Sequence, residues 1–262
     1  MPGFHPSAHA RTQPDKLALV IADTGETLTY AQLDEGSNRV AQLLRSLGLK
    51  SGDRVGVMMR NSPEFAKVYW GATRCGCFVT LLSTHLKPAE VSYILGDCAA
   101  KVLILSASLG ETPRALAADP AGLIPGVQAI YYADEEPIEG ARSLTHALAA
   151  MPAVPVPAEI SGFHLIYSSG TTGRPKGIVM PCTPGPIDEF NRSEGVPTFY
   201  EKFDPLVSFN AGPLYHGAPL SGLVATTRLG GTFVTLRKFD AEKALRAMQD
   251  WKVNSAQFVP TM

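Results

Sequence analysis

Apolar and polar positions along this chain follow two periods in turn. Leu17 to Ala22 and Thr27 to Thr29 are short β-type runs around the polar turn Asp23-Thr24-Gly25-Glu26, which predicts a hairpin. Thr29 and Gln32 have the spacing of a capping box, and Leu33, Val40, Leu44 and Leu47 form the apolar stripe of the helix that follows. Gly48 supplies its stop. Arg54 to Met59 predicts a strand, and Ser62-Pro63 opens a helix with Phe65, Val68, Tyr69 and Ala72 on one face. Gly76 ends that helix before a strand over Cys77 to Leu82. The unit then recurs, with a helix from Pro88 that turns Val91, Ile94, Leu95 and Cys98 inward and an apolar strand from Lys101 to Leu105. Near-continuous apolar runs suit strands covered on both faces.

Further along, strands are expected at Val127 to Tyr132, Phe163 to Tyr167, Gly177 to Met180, Leu206 to Phe209, Thr232 to Leu236 and Ser255 to Val259. Helices are expected at Ser143 to Ala150 and Leu223 to Thr227. Asp240 caps a last helix carrying Ala244, Leu245, Met248 and Trp251. Helix–strand units in this order predict an α/β fold of layered α/β/α subdomains with mostly parallel sheets. Residues 151–159 are proline-rich and read as a linker between subdomains at 1–150 and 160–262. From Pro181 to Pro205 the prolines break any regular pattern, and a loop of that length inside a compact protein is usually functional or mobile.

With 262 residues, 45% hydrophobic and 18% charged, the chain has the composition of a globular protein with a sizeable core. A net charge of −1 gives no electrostatic basis for binding nucleic acid or an anionic membrane. No apolar run approaches a transmembrane segment, and Met1 to Lys16 lacks the apolar stretch of a signal peptide. Cys75, Cys77, Cys98 and Cys182 have no zinc-type spacing, and the apolar flanks of Cys75 and Cys77 make both read as buried small hydrophobes. A reducing, cytoplasmic setting follows as the expectation.

The densest chemistry lies in Tyr167-Ser168-Ser169-Gly170-Thr171-Thr172-Gly173-Arg174-Pro175-Lys176-Gly177. Glycines let a backbone approach a bound group closely, successive N–H groups can cradle an anion, hydroxyls donate, and Lys176 adds a flexible positive charge. That combination suits a polyphosphate. The Walker A register does not fit, because Pro175 and Ile178 stand five residues after Gly170 and Gly173. On residue content alone, a Gly/Thr turn between strands is the alternative. A second candidate is Pro213-Leu214-Tyr215-His216-Gly217-Ala218-Pro219, an imidazole and a phenol in a turn, where the alternative is a histidine that merely satisfies a backbone group. His85 reads as structural, and Glu135-Glu136 and Asp188-Glu189 read as solvated acidic pairs.

The ordered eleven residues resemble the phosphate-binding signature of the adenylate-forming superfamily, which includes acyl-CoA synthetases, peptide-synthetase adenylation domains and luciferases. Ser168 stands where Thr is more usual. The resemblance runs from Leu28-Thr29-Tyr30 to the end of the chain and covers about the first half of the family's length, so a truncated product or a fragment is expected. The family's Tyr-Gly-x-Thr-Glu motif, ribose-binding Asp, hinge and C-terminal Lys are not in this sequence. The likeness implies an ATP-dependent ligase that adenylates a carboxylic acid, fatty or otherwise bulky, and passes the acyl group to coenzyme A. Ser168, Ser169, Gly170, Thr171, Thr172, Gly173, Lys176 and Gly177 would then hold ATP phosphates with Mg²⁺ sharing the charge. Tyr215 and His216 would lie by the acyl carboxylate, with His216 catalytic. No residue is assigned as a metal ligand. The fragment alone is expected to be inactive and prone to self-association. The competing expectation is a catalytically dead nucleotide-binding module, or an interaction module.

Overall fold

A computed structural model describes residues 5–134, 136–168, 175–179, 185–187 and 198–260. The chain forms two compact units, one of Met1–Gly36, Arg60–Lys67 and Gly185–Met262, the other of Ser37–Met59 and Val68–Pro184. Each has its own mostly parallel sheet with helices packed on it, which is the expected α/β class.

The first unit holds helix α1 (Pro6–Thr12) and strands β1 (Leu17–Ile21) and β2 (Glu26–Thr29). Thr29 also begins helix α2 (Tyr30–Ser46) through the expected reciprocal cap. The Thr29 N–H donates to Gln32 Oε1 at 3.0 Å, and the Gln32 N–H donates to Thr29 Oγ1 at 3.2 Å. Helix α1 was not expected. At seven residues it is too short to show a stripe, and a tertiary bond anchors it: His9 Nε2 meets the Arg228 carbonyl at 2.8 Å.

Strands β10 (Val207–Phe209), β11 (Thr232–Thr235) and β12 (Ser255–Ala256) complete a five-stranded sheet in the order β12-β10-β11-β1-β2. Strand β1 pairs parallel with β11, Leu19 opposite Phe233 and Val20 opposite Val234. Helix α8 (Gly217–Arg228) covers the Phe233 face, where Gly222 leaves room for the ring: a Cβ there would stand 3.1 Å from Phe233 Cε2. Helix α9 (Ala241–Asp250) covers the Val234 face through Ala244, Ala247 and Met248. Because successive strand residues point to opposite faces, the two helices make a three-layered unit.

Two expectations need correction here. Leu245 is 65% exposed rather than inward, because the buried line through Ala244, Ala247 and Met248 leaves it on the flank of α9. Strand β12 ends at Ala256, and Phe258 and Val259 beyond it are 43% and 49% exposed. Helix α8 also starts earlier than expected, since Pro219 falls in its first turn, where a missing N–H costs no helical bond.

The second unit has a seven-stranded sheet ordered β7-β6-β5-β3-β4-β8-β9. Its strands are β3 (Arg54–Met58), β4 (Phe78–Leu81), β5 (Ala100–Leu105), β6 (Ala129–Tyr132), β7 (Arg142–Ser143), β8 (His164–Ser168) and β9 (Lys176–Val179). Neighbours are parallel except β8 and β9. Helix α4 (Pro88–Asp97), with α5 (Glu111–Ala118) and α6 (Pro120–Leu123), packs Val91, Ile94, Leu95, Leu116 and Ile124 onto Leu103, Leu105, Ile130 and Leu165. Val102 and Ile104, also fully buried, point to the other face. Helix α3 (Pro63–Arg74) meets α2 through Gly71, where a Cβ would lie 2.4 Å from Val40 Cβ and 2.7 Å from the Ser37 carbonyl. Helices α5 and α6 were not expected, because Ala-rich turns interrupted by Pro113 and Pro120 carry little apolar periodicity.

The compact units do not follow the expected division at 150 and 160. Strand β8, after the proline-rich stretch, pairs with β4 of the same sheet, Val79 opposite His164. The stretch itself follows helix α7 (Leu144–Ala149) and is strapped down. Arg39 donates to the Met151 carbonyl at 2.7 Å, Gln42 to the Val154 carbonyl at 2.9 Å, and Arg74 pairs with Glu159 at 2.6 Å. Among the described residues, no helix is long and apolar enough to cross a membrane.

Candidate functional site

The strands expected on either side of the signature loop are β8 and β9, and they form an antiparallel hairpin in the second unit. Tyr167 pairs with Gly177 and Ser168 with Lys176. The chain therefore leaves the sheet at the carboxyl end of β8 and re-enters directly beside it. Loops at that end of parallel strands are where α/β sheets commonly bind ligands. Lys176 is exposed at the start of β9. Ser169, Gly170, Thr171, Thr172 and Gly173 lie outside the described residues.

On β8, Tyr167 shares the inward face with Leu165 and reaches helix α4, where its hydroxyl donates to Asp97 Oδ2 at 2.6 Å. Burial, with the Asp97 bond next, holds the phenol well above the usual tyrosine range, so it stays a donor. The ring crosses Gly177, where a Cβ would stand 3.0 Å from Tyr167 Cζ and 3.2 Å from its oxygen. A cleft of about 300 Å³ opens there, lined by Arg54, Phe78, Asp97, Leu165, Tyr167 and Gly177 among others. A larger open depression of about 800 Å³, near Arg114 and Ile138, contains none of the motif residues.

Tyr215 and His216 belong to the first unit. His216 occupies the N-cap position of α8 with extended backbone (φ −93°, ψ 148°), and its side chain makes no capping bond. It is exposed, while Tyr215 is buried, and their rings lie 4.6 Å apart. The buried Asn61, which the sequence reading passed over, organises the turn before them. Its Oδ1 accepts the Leu214 N–H at 2.8 Å, and its Nδ2 donates to the Gly212 carbonyl at 3.1 Å and the Leu236 carbonyl at 2.9 Å. Asn210 Oδ1 accepts the Gly212 N–H at 2.8 Å. Asn61 thus ties the ends of β10 and β11 beside the start of α8. Its only sequence signal is a polar residue between the end of an apolar strand and Ser62-Pro63.

Other polar groups have structural explanations. Cys75 and Cys77 are buried free thiols 3.6 Å apart, as their flanks implied. His164 is buried, with Nδ1 3.2 Å from the Tyr69 hydroxyl, and burial lowers its pKa to about 4. His85 is exposed, with its N–H bonded to Ser83 Oγ. Glu136 pairs with Arg114, while Glu135, Asp188, Glu189 and Cys182 lie outside the described residues. Among the described residues, no group of three His, Cys, Asp or Glu side chains is placed to hold a metal ion.

Comparison with known proteins places the chain in a family. A family model described as AMP-binding enzyme matches residues 7–262. The long-chain-fatty-acid–CoA ligase FadD13 of Mycobacterium tuberculosis is 31% identical over 257 residues, which cover 97% of this chain and 48% of that protein. The 2-succinylbenzoate–CoA ligase of Bacillus licheniformis is 30% identical over 272 residues, covering 97% and 48%. Among solved structures, the inhibitor-bound N-terminal domain of FACL13 from Mycobacterium tuberculosis superposes with a TM-score of 0.81 at 27% identity, covering 100% of this chain and 64% of that one. The chain spans about half the length of the curated relatives it matches. Family match and fold agree, and the chain belongs to the AMP-binding enzyme family, matching the N-terminal part of its acyl-CoA ligases.

Proposed function

We propose that this chain supplies the polyphosphate loop and the carboxylate-side turn of an AMP-forming carboxylate–CoA ligase. In that reaction a carboxylate oxygen attacks the α-phosphorus of ATP, the α–β phosphoanhydride bond breaks, and pyrophosphate leaves. The thiol of coenzyme A then attacks the acyl carbonyl and AMP departs. The observation that carries this reading is the pairing of β8 and β9, the two strands that flank the signature, at the edge of a mostly parallel sheet within the matched segment.

Each residue has a definable task. Ser168 to Gly173 and Gly177 hold the ATP phosphates, and Lys176, exposed at the start of β9, offsets the charge of the β- and γ-phosphates. Mg²⁺ accompanying ATP would share that charge, and no described residue is assigned to it. Exposed His216 donates to oxygen as negative charge moves onto it, while buried Tyr215 positions the imidazole. The names of the matched ligases, acting on long-chain fatty acids and on 2-succinylbenzoate, support a bulky carboxylic acid as substrate. Buried, free Cys75, Cys77 and Cys98 support a reducing, cytoplasmic setting.

Pyrophosphate release across a panel of aliphatic and aromatic acids tests the reading in the longest natural form of the protein. His216→Ala is expected to slow adenylation by the equivalent of about 2.7–4 kcal/mol while ATP affinity changes little. A normal adenylation rate in that variant would remove His216 from the chemistry. Assayed alone, the 262-residue chain is expected to bind nucleotide weakly and to form no acyl-CoA. A nucleotide-induced thermal shift without pyrophosphate release from the longest form would instead favour a nucleotide-binding module without activity.

A further inference from the structure

Tyr167 immediately precedes Ser168, and its side chain runs across Gly177 on the partner strand and ends on Asp97, the last residue of α4. One phenol therefore joins three elements: the strand entering the loop, the strand leaving it, and a helix on the face of the sheet.

Three features of this contact are specific. Directly paired residues of an antiparallel ladder carry their side chains on the same face, so any Cβ at 177 would press into the ring, as the 3.0 Å and 3.2 Å distances show. Glycine is needed here for close approach, not for an unusual backbone angle. A carboxylate in the last turn of a helix opposes the helix dipole, and α4 has no basic residue in that turn. Asp97 is thus unfavourable for its own helix and is satisfied by the Tyr167 hydroxyl. Finally, Lys176 adjoins Gly177, so the position of β9 sets where the cation stands relative to Ser168.

We infer that the Tyr167–Asp97 hydrogen bond, with Gly177 beneath the ring, is a latch that positions the base of the phosphate loop and so presents Lys176 to a bound polyphosphate. Tyr167 and Asp97 are positioning residues that act through β9 rather than on the substrate. The inference rests on the polyphosphate reading of the loop proposed above. The latch strains nothing and closes nothing. It removes the freedom of β9, an edge strand held by its ladder to β8 alone, to splay or slip.

The test uses the chain with Tyr167→Phe, which keeps the ring and removes the hydroxyl, along with Asp97→Ala and Asp97→Asn. Amide hydrogen exchange, read without ligand, is expected to accelerate in Tyr167→Phe and Asp97→Ala at residues 167, 168, 176 and 177. Exchange across the β4–β8 pairing should not change. Affinity for inorganic tripolyphosphate, measured by calorimetry, is expected to fall about tenfold in both variants, the scale of one hydrogen bond to a charged group. Asp97→Asn, which keeps an acceptor oxygen, should recover most of it, and the double variant Tyr167→Phe/Asp97→Ala should be no worse than either single change. Unchanged local exchange, or a fall in melting temperature with tripolyphosphate affinity intact, would overturn the latch. If the unaltered chain shows no tripolyphosphate affinity while the exchange response appears, the polyphosphate reading is overturned and with it the role assigned to the latch. The exchange arm separates that failure from failure of the contact itself.

Discussion

Asn61 accepts the Leu214 backbone N–H at 2.8 Å, and this single contact sets the turn that leads into Tyr215 and His216. The same amide holds the carbonyls of Gly212 and Leu236, so one buried side chain joins the ends of two parallel strands. Removing it would leave several backbone groups without partners in a region closed to water. Asn61→Ala is expected to lower unfolding free energy by about 3 kcal/mol, the cost of stranding such groups. Urea unfolding of the two proteins measures it, and a loss below about 1 kcal/mol would mean that water replaces the amide.

Gly71 provides a second check on packing. With Val40 Cβ 2.4 Å from a built Cβ, Gly71→Ala forces α2 and α3 apart and is expected to destabilise by about 1–3 kcal/mol. The Ser37 carbonyl limits recovery, so adding Val40→Ala should restore only part of the loss. Strict additivity of the two changes in a double-mutant cycle would contradict direct contact.

His164 predicts a pH dependence of stability. Burial holds its folded-state pKa at about 4, against 6.5 in the absence of perturbation. Between those values the unfolded chain binds the proton and the folded chain does not. Its contribution is therefore complete above pH 6.5 and declines as pH falls toward 4, by roughly 3 kcal/mol at most. Urea midpoints between pH 7.5 and 4.5 should drop steeply in the wild type and less in His164→Gln. Parallel profiles would assign the slope to other groups.

Lys176→Ala is expected to leave the melting temperature unchanged, because the side chain is exposed, and to weaken tripolyphosphate binding about tenfold. Equal affinities would take the lysine out of the phosphate contacts.

Self-association is expected at the β12 edge of the first sheet, where Phe258 and Val259 are half-exposed beside a strand that, among the described residues, is paired on one side only. Light scattering should show oligomers that Phe258→Ser with Val259→Lys reduces. A monomer at high concentration in the unaltered chain would contradict this.

Local elements were legible where chemistry is local. The Thr29–Gln32 cap, the Asp240 cap with its Lys243 N–H, the stop at Gly48 and the buried stripe of α3 depend on residues within a few positions of one another. The signature from Tyr167 to Gly177 was legible for the same reason, as was the family to which it points. Strand order was not. Pairing of Leu19 with Phe233, and of β8 with β4 across the proline-rich stretch, is decided by which apolar faces cover one another over long separations. Alternation along a strand marks its faces without naming its neighbour. Asn61 and Asp97 at the end of α4 were likewise invisible, since each gains meaning from a partner 70 or more positions away, and the Gly177–Tyr167 contact depends on the register of β8 and β9. Sequence by itself determined the class and the family, and it singled out the candidate phosphate loop. Tertiary packing decided that buried Asn61 ties the turn before Tyr215 and His216 and that the Tyr167 phenol joins β8, β9 and α4, because both contacts bring together elements far apart in the chain.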